Sequence, residues 1–207
     1  MLDRPTLERA VDELAARDPV LADIVRRLGR PPLWDRPAGF GTLLHIVLEQ
    51  QVSLASALAA FRRLGSAAGT LTPERFLMFS DAELLAIGFS RQKARYGRAL
   101  AIALVDGSLD LDRLPTLDDD AVRVELEAIP GIGRWTSTIY LLMVLGRPDV
   151  WPVGDIALAT AVGEARALGR RPDAAELEQL GEAWRPWRSV AARLFWHDYL
   201  ARRRTTV

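Results

Sequence analysis

The sequence predicts an all-α protein. Apolar residues recur at helical spacing along nearly all of its 207 residues, the starts of the periodic segments carry capping residues, and no stretch alternates in the manner of a strand. Two segments come first, at 6–16 and 19–28, the second opened by Asp18 ahead of Pro19, a residue suited to a first helical turn. RPPLWDRPAGFG at 30–41 interrupts the periodicity with proline and glycine and reads as a linker. Helices at 41–51 and 54–64 follow from apolar spacing alone. Thr72 before Pro73 opens 73–79, and Ser80 with Glu83 forms a capping box for 81–86. The segment 91–106 precedes 119–128, for which Thr116 with Asp119 repeats the box spacing. Helices at 134–145 and 155–167 come next, Asp173 with Glu176 caps 174–183, and 186–203 completes the series.

Composition narrows the function. A chain with 49% hydrophobic residues can build one compact domain or two small lobes. No run approaches the ~18 apolar residues of a membrane span, and the charged, amphipathic amino terminus is unlike a signal peptide. A cytoplasmic monomer without membrane contact is the expectation. The absence of cysteine excludes disulfides, thiolate zinc sites, iron–sulfur clusters and a cysteine nucleophile. Two histidines do not make a metal site: His45, inside LLHIVL, reads as a core or partly buried residue, and His197 follows Trp196 in the last helix. The 27 basic and 27 acidic residues cancel, so any nucleic-acid binding has to be local.

The most informative stretch is LEAIPGIGRWTSTIYLLMVLG at 126–146. A helix closes at Ile129, Pro130 prevents its continuation, and Gly131 and Gly133 permit a tight turn whose backbone can approach another molecule closely. A second helix begins at once, and a turn of this kind aims backbone N–H groups at a phosphate oxygen. Arg134 and Thr136 add phosphate-capable side chains. A plain structural hairpin would use the same two glycines.

Five elements in order then carry a resemblance: HIVLEQQVSLASA, IGFSRQKARYGRAL, IPGIGRWTS, DVWPVGD and WRPWRSVAARLFW. Over about residues 41–200 the chain resembles the helix-hairpin-helix DNA glycosylase superfamily, within it the 3-methyladenine DNA glycosylase II (AlkA) type. The resemblance implies two helical lobes with a cleft between them. Residues 1–40 would pack on a carboxyl-terminal lobe of 148–207, and 41–147 would form the lobe that ends in the hairpin. The amino-terminal β domain of the longer enzymes has no counterpart here.

Asp155, in WPVGDIALATAV, reads locally as a helix N-cap. By resemblance it is also the catalytic carboxylate, and the readings agree, since N–H donors to the carboxylate favour its charged form. Asp149, its nearest rival, reads as a solvated turn residue. Breaking an N-glycosidic bond develops oxocarbenium-like charge on the sugar, which a carboxylate stabilises. Relatives that also cut the strand place a lysine directly after the hairpin arginine, where this chain has Trp135, and the only lysine is Lys93 in another hairpin. Monofunctional hydrolysis is therefore expected.

The resemblance places Trp135, Trp196, Gln50 and Tyr140 at the base pocket, although Tyr140 stands beside the position where some relatives carry an aromatic. Here that position is Ile139. A cationic damaged base over an indole face gains about 0.5–2 kcal/mol. Gln51 falls at the intercalating position, where an apolar wedge is commoner. Gly131, Ile132, Gly133, Arg134 and Thr136 would grip duplex DNA, and a monovalent cation such as Na+ or K+ would sit on the carbonyls of Ile129 and Gly131. No organic cofactor is implied. Trp184 and Trp187 read as packing residues. Two other readings stay open: a glycosylase for oxidised or deaminated purines, and a hairpin module that only binds DNA and needs no anion at 155.

Overall fold

The computed structural model describes residues 1–204 and contains twelve α-helices and two short 3₁₀ turns, with no strand among the described residues. The chain forms two compact units, one of Met1–Asp35 with everything from Leu141 onward, the other of Arg36–Tyr140. Their limits at 35/36 and 140/141 precede the 40/41 and 147/148 limits read from the sequence.

The first unit holds α1 (Arg4–Arg17), α2 (Pro19–Leu28), α10 (Ile156–Ala165), α11 (Ala174–Gly181) and α12 (Arg188–Arg204). Helix α12 is its axis, touching α1, α2 and α10. Leu7, Leu14, Leu21, Ile24, Leu158, Val162, Leu194 and Phe195 are buried. Trp184 lies between Trp151 and Phe195 with ring centroids 5.1 and 5.0 Å away, the packing role read for it. Trp187 is half-buried and donates its indole N–H to Glu13. At the fully buried Arg193 the guanidinium donates to the carbonyls of Leu33 (2.7 Å), Ser189 (3.0 Å) and Leu142 (2.9 Å). Burial lowers its pKa to about 10.

The second unit holds α3 (Phe40–Glu49), α4 (Leu54–Ala68), α5 (Pro73–Leu77), α6 (Asp81–Ile87), α7 (Arg91–Val105) and α8 (Asp119–Glu127), while α9 (Arg134–Met143) begins there and ends in the first. Its core gathers Leu43, Leu44, Phe76, Phe89, Leu100 and Leu126.

Local chemistry accounts for the boundaries. Asp18 and Thr72 cap α2 and α5 before their prolines, and both predicted capping boxes form, Ser80 with Glu83 and Asp173 with Glu176. Thr116 is not a cap. It sits in a 3₁₀ turn donating to the Arg113 carbonyl, and Asp118, whose side chain accepts from Ala121 N, starts α8. Helix α4 runs through Gly65 and stops at Gly69, where φ is 69°. Helix α3 ends at Glu49, before the expected 51, because the backbone leaves helical geometry at Gln50, where ψ is 124°, and turns left-handed at Gln51, where φ is 56°.

His45 stacks on Phe61, centroids 4.4 Å apart at 6°, with Nε2 3.7 Å from Glu49. Burial is the main cause that lowers its pKa below 6.5, Arg36 acting the same way and Glu49 opposing. The unfolded chain therefore binds the proton more readily than the folded one. Stability should be complete above pH 6.5 and fall as pH drops below it, by at most about 1.4 kcal/mol per pH unit for one proton. Denaturant melts from pH 7.5 to 5 should show this slope in the wild type and a flatter one in His45→Phe. Equal slopes would remove His45 as the cause.

Candidate functional site

In the first unit the Gly154 turn delivers Asp155 to the N-cap of α10, as its sequence context predicts. Its Oδ1 accepts the Leu158 backbone N–H at 2.7 Å and the Trp196 indole N–H at 3.2 Å. Two donors from different helices thus fix one carboxylate oxygen, one by local capping and one across α12. Trp196 is nearly buried and meets Asp155 through its ring edge, so the structure uses it as an orienting donor to the carboxylate. Ile156, the next residue, is exposed, which leaves an apolar side chain beside the acid.

Asp149 is not a solvated turn residue. Arg188 Nε is 2.9 Å from its Oδ1 and Arg185 Nη1 2.8 Å from its Oδ2, so its charge is consumed in an arginine clamp. His197 lies with Nε2 3.2 Å from the Leu28 carbonyl, a contact that ties α12 to the end of α2. An open cavity of about 370 Å³ over α10 is lined by Thr160, Gly163, Glu164, Ala167, Gly169, Arg170 and Arg171, and not by Asp155 or Trp196.

In the second unit the hairpin forms where the glycines require it. Gly131 has φ 93°, and a Cβ there would lie 2.1 Å from the Tyr96 ring, so any side chain meets both strain and a clash. Ile132 N closes the turn onto the Ile129 carbonyl at 3.0 Å. Gly133 and Arg134 are exposed, with Arg134 3.9 Å from Glu127, while Ile132 is buried with its N–H committed to the Ile129 carbonyl, which leaves it no donor for DNA.

Three further assignments change in this unit. Thr136 is buried, and its Oγ1 accepts from Gln50 Nε2 at 2.9 Å, which takes it away from phosphate. The same Nε2 donates to the Gly131 carbonyl at 2.8 Å, so Gln50 spends its donor group bracing the hairpin and not facing a base. Tyr140 is fully buried with no hydrogen bond to its hydroxyl, and burial raises its pKa to about 12. It offers no surface to a ligand. Gln51 and Val52 are exposed, and Trp135 is half-buried at the second position of α9.

Lys93, placed by the sequence in a separate hairpin, donates Nζ to the Leu48 carbonyl at 2.6 Å, and desolvation lowers its pKa. Tyr96 and Lys93 act on residues 35 and 45 positions away, and no local signal in the sequence announces either contact. The carbonyls of Ile129 and Gly131 each accept one hydrogen bond and keep a second lone pair of the kind a monovalent cation takes. Among the described residues no cluster of His, Asp and Glu fits a metal ion, and no helix is long and apolar enough to cross a membrane.

The family model described as "HhH-GPD superfamily base excision DNA repair protein" matches residues 44–186. A DNA-3-methyladenine glycosylase of Bacillus subtilis is 26% identical over 89% of this chain and 65% of its own length. Among solved structures, Schizosaccharomyces pombe 3-methyladenine DNA glycosylase Mag1, in complex with abasic DNA, superposes with a TM-score of 0.83 at 26% identity, covering 91% of this chain and 95% of that one. A DNA-3-methyladenine glycosidase of Bacillus halodurans gives 0.74 at 30% identity, covering 92% and 88%. The chain spans 40% to 65% of the length of the first curated relatives it matches.

Proposed function

The chain belongs to the HhH-GPD superfamily of base excision DNA repair proteins, and from that premise we propose that it is a monofunctional DNA glycosylase that hydrolyses the N-glycosidic bond of alkylated purines in duplex DNA. The observation that carries the reading is Asp155 Oδ1 held by Leu158 N–H and the Trp196 indole, a carboxylate oriented before substrate arrives. The hairpin's exposed Gly133 and Arg134 hold the DNA backbone, and Gln51 enters the stack when the damaged nucleotide is turned out. As the bond from C1′ to the base nitrogen breaks, its electrons leave with the base and positive charge develops on the sugar, beside the Asp155 anion. Water adds its oxygen to C1′ and releases a proton. A purine alkylated to a cation departs neutral, so no strong general acid is needed.

Trp135 in place of a lysine, and the single lysine amine committed to the Leu48 carbonyl, support hydrolysis without strand cleavage. The reading extends to Na+ or K+ on the second lone pairs of Ile129 and Gly131, to no organic cofactor, and to a monomer acting on DNA in the bacterial cytoplasm. Duplexes carrying methylated purines, ethenoadenine, hypoxanthine or 8-oxoguanine test it. Methylated purines should be released, and strands should break only after alkali. Breakage without alkali would defeat monofunctionality. Release of 8-oxoguanine alone would replace the substrate class, and binding without any release would leave a DNA-binding module.

A further inference from the structure

Three consecutive residues at the end of α3 are each tied to a different part of the second unit. The Leu48 carbonyl accepts Lys93 Nζ from α7 at 2.6 Å. Glu49, buried, takes a bidentate pair from Arg36 at 2.9 and 3.0 Å. Gln50 reaches the hairpin, donating to the Gly131 carbonyl at 2.8 Å and to Thr136 Oγ1 at 2.9 Å. Immediately beyond these anchors the backbone turns left-handed at Gln51, whose side chain is exposed.

A backbone carbonyl only accepts, so the Gln50 atom facing Gly131 has to be the amide nitrogen, and its two hydrogens match the two acceptors. One acceptor lies in the hairpin turn and the other in the first turn of α9. One amide therefore fixes the Gln51 loop to the element that holds the DNA backbone. Gly131 cannot yield, because its other side is closed by the Tyr96 ring.

We infer that Gln50 is a positioning residue that acts through Gln51: it holds the loop in register with the hairpin, so that gripping the backbone places Gln51 at the gap left by the turned-out nucleotide. This rests on the proposed function for the role of Gln51 but not for the chemistry. Gln50→Met keeps the length of the side chain and removes the donor. Gln51→Ala removes the inserted group and leaves the brace.

The test is a double-mutant cycle read in two ways. Unstacking is followed by the fluorescence of 2-aminopurine in a duplex at a mispaired target position, and base release by alkali cleavage of a methylated duplex. Each single variant should lower both signals about tenfold and the double variant no further, as expected for residues acting as one unit. Affinity for undamaged duplex and its salt dependence should stay within about threefold of wild type in Gln50→Met, since the backbone contacts remain. An additive, roughly hundredfold loss in the double variant would show that Gln50 acts independently of Gln51 and would overturn the inference. Loss of undamaged-duplex binding together with a lowered melting temperature would reduce Gln50 to a structural brace. If the wild type unstacks the target base without releasing it, the glycosylase reading fails while the fluorescence cycle still decides this one. If it does not unstack it, both fail.

Discussion

Asp155→Asn should lower release of methylated purines by about 10³-fold while leaving the fold and duplex affinity close to wild type. Asparagine suits an N-cap as well as aspartate does, and its amide oxygen can keep the bonds from Leu158 N–H and the Trp196 indole. The negative charge is lost, and with it, on the proposed mechanism, the group that stabilises the developing sugar cation. Single-turnover base release, measured beside a binding isotherm for an abasic duplex, separates the two roles. A variant that releases base at the wild-type rate would leave Asp155 as a cap and nothing more. Asp155→Ala supplies the contrast, since it also removes the cap, worth about 1 kcal/mol, and should lower the melting temperature where asparagine does not. A lowered melting point in both variants would mean that the charge itself supports α10.

The elements are legible because their signals are local. Ser80 with Glu83, Asp173 with Glu176 and Asp155 ahead of its helix each satisfy backbone N–H groups within three residues, so the sequence window contains both partners. Thr116 misleads because Asp118, two residues on, competes for the same helix end and makes the capping bond. The site is less legible, and the distances along the chain say why. Trp196 lies 41 positions from Asp155, and the acceptors of Gln50 lie 81 and 86 positions away. Resemblance can place Gln50 near a pocket, but only the folded chain shows that its donor is already used. Gly131 is an intermediate case. Its conformational demand is readable from the PGIG string, whereas the Tyr96 ring that makes the demand absolute is not.

Asp18 is where a local reading is right and incomplete, and its removal should have the largest effect on stability. As the N-cap of α2 it accepts from Val20 N at 2.9 Å, which the Asp-Pro step announces. Its other oxygen accepts the Trp184 indole at 2.8 Å and Arg166 Nη2 at 2.5 Å, and the Arg166 guanidinium lies 5.1 Å over the Trp184 ring. One buried carboxylate thus joins the start of α2 to the end of α10 and to the tryptophan at the centre of the first unit. Asp18→Ala removes the cap, strands a buried indole N–H and leaves Arg166, itself mostly buried, without its counter-charge. Breaking a buried pair from one side costs about 3–5 kcal/mol, a large share of the roughly 5–15 kcal/mol that holds a domain folded. At about 2–4 °C per kcal/mol for a chain of this size, the melting temperature should fall by roughly 10 °C or more. Asp18→Asn, which keeps the cap, should lose less, and in an Arg166→Met background the penalty of Asp18→Ala should shrink because no charge is then stranded. A loss below about 1 kcal/mol in Asp18→Ala, the range of a surface pair, would mean that solvent reaches Arg166 and that the other contacts of the amino-terminal helices with α12 hold them without Asp18.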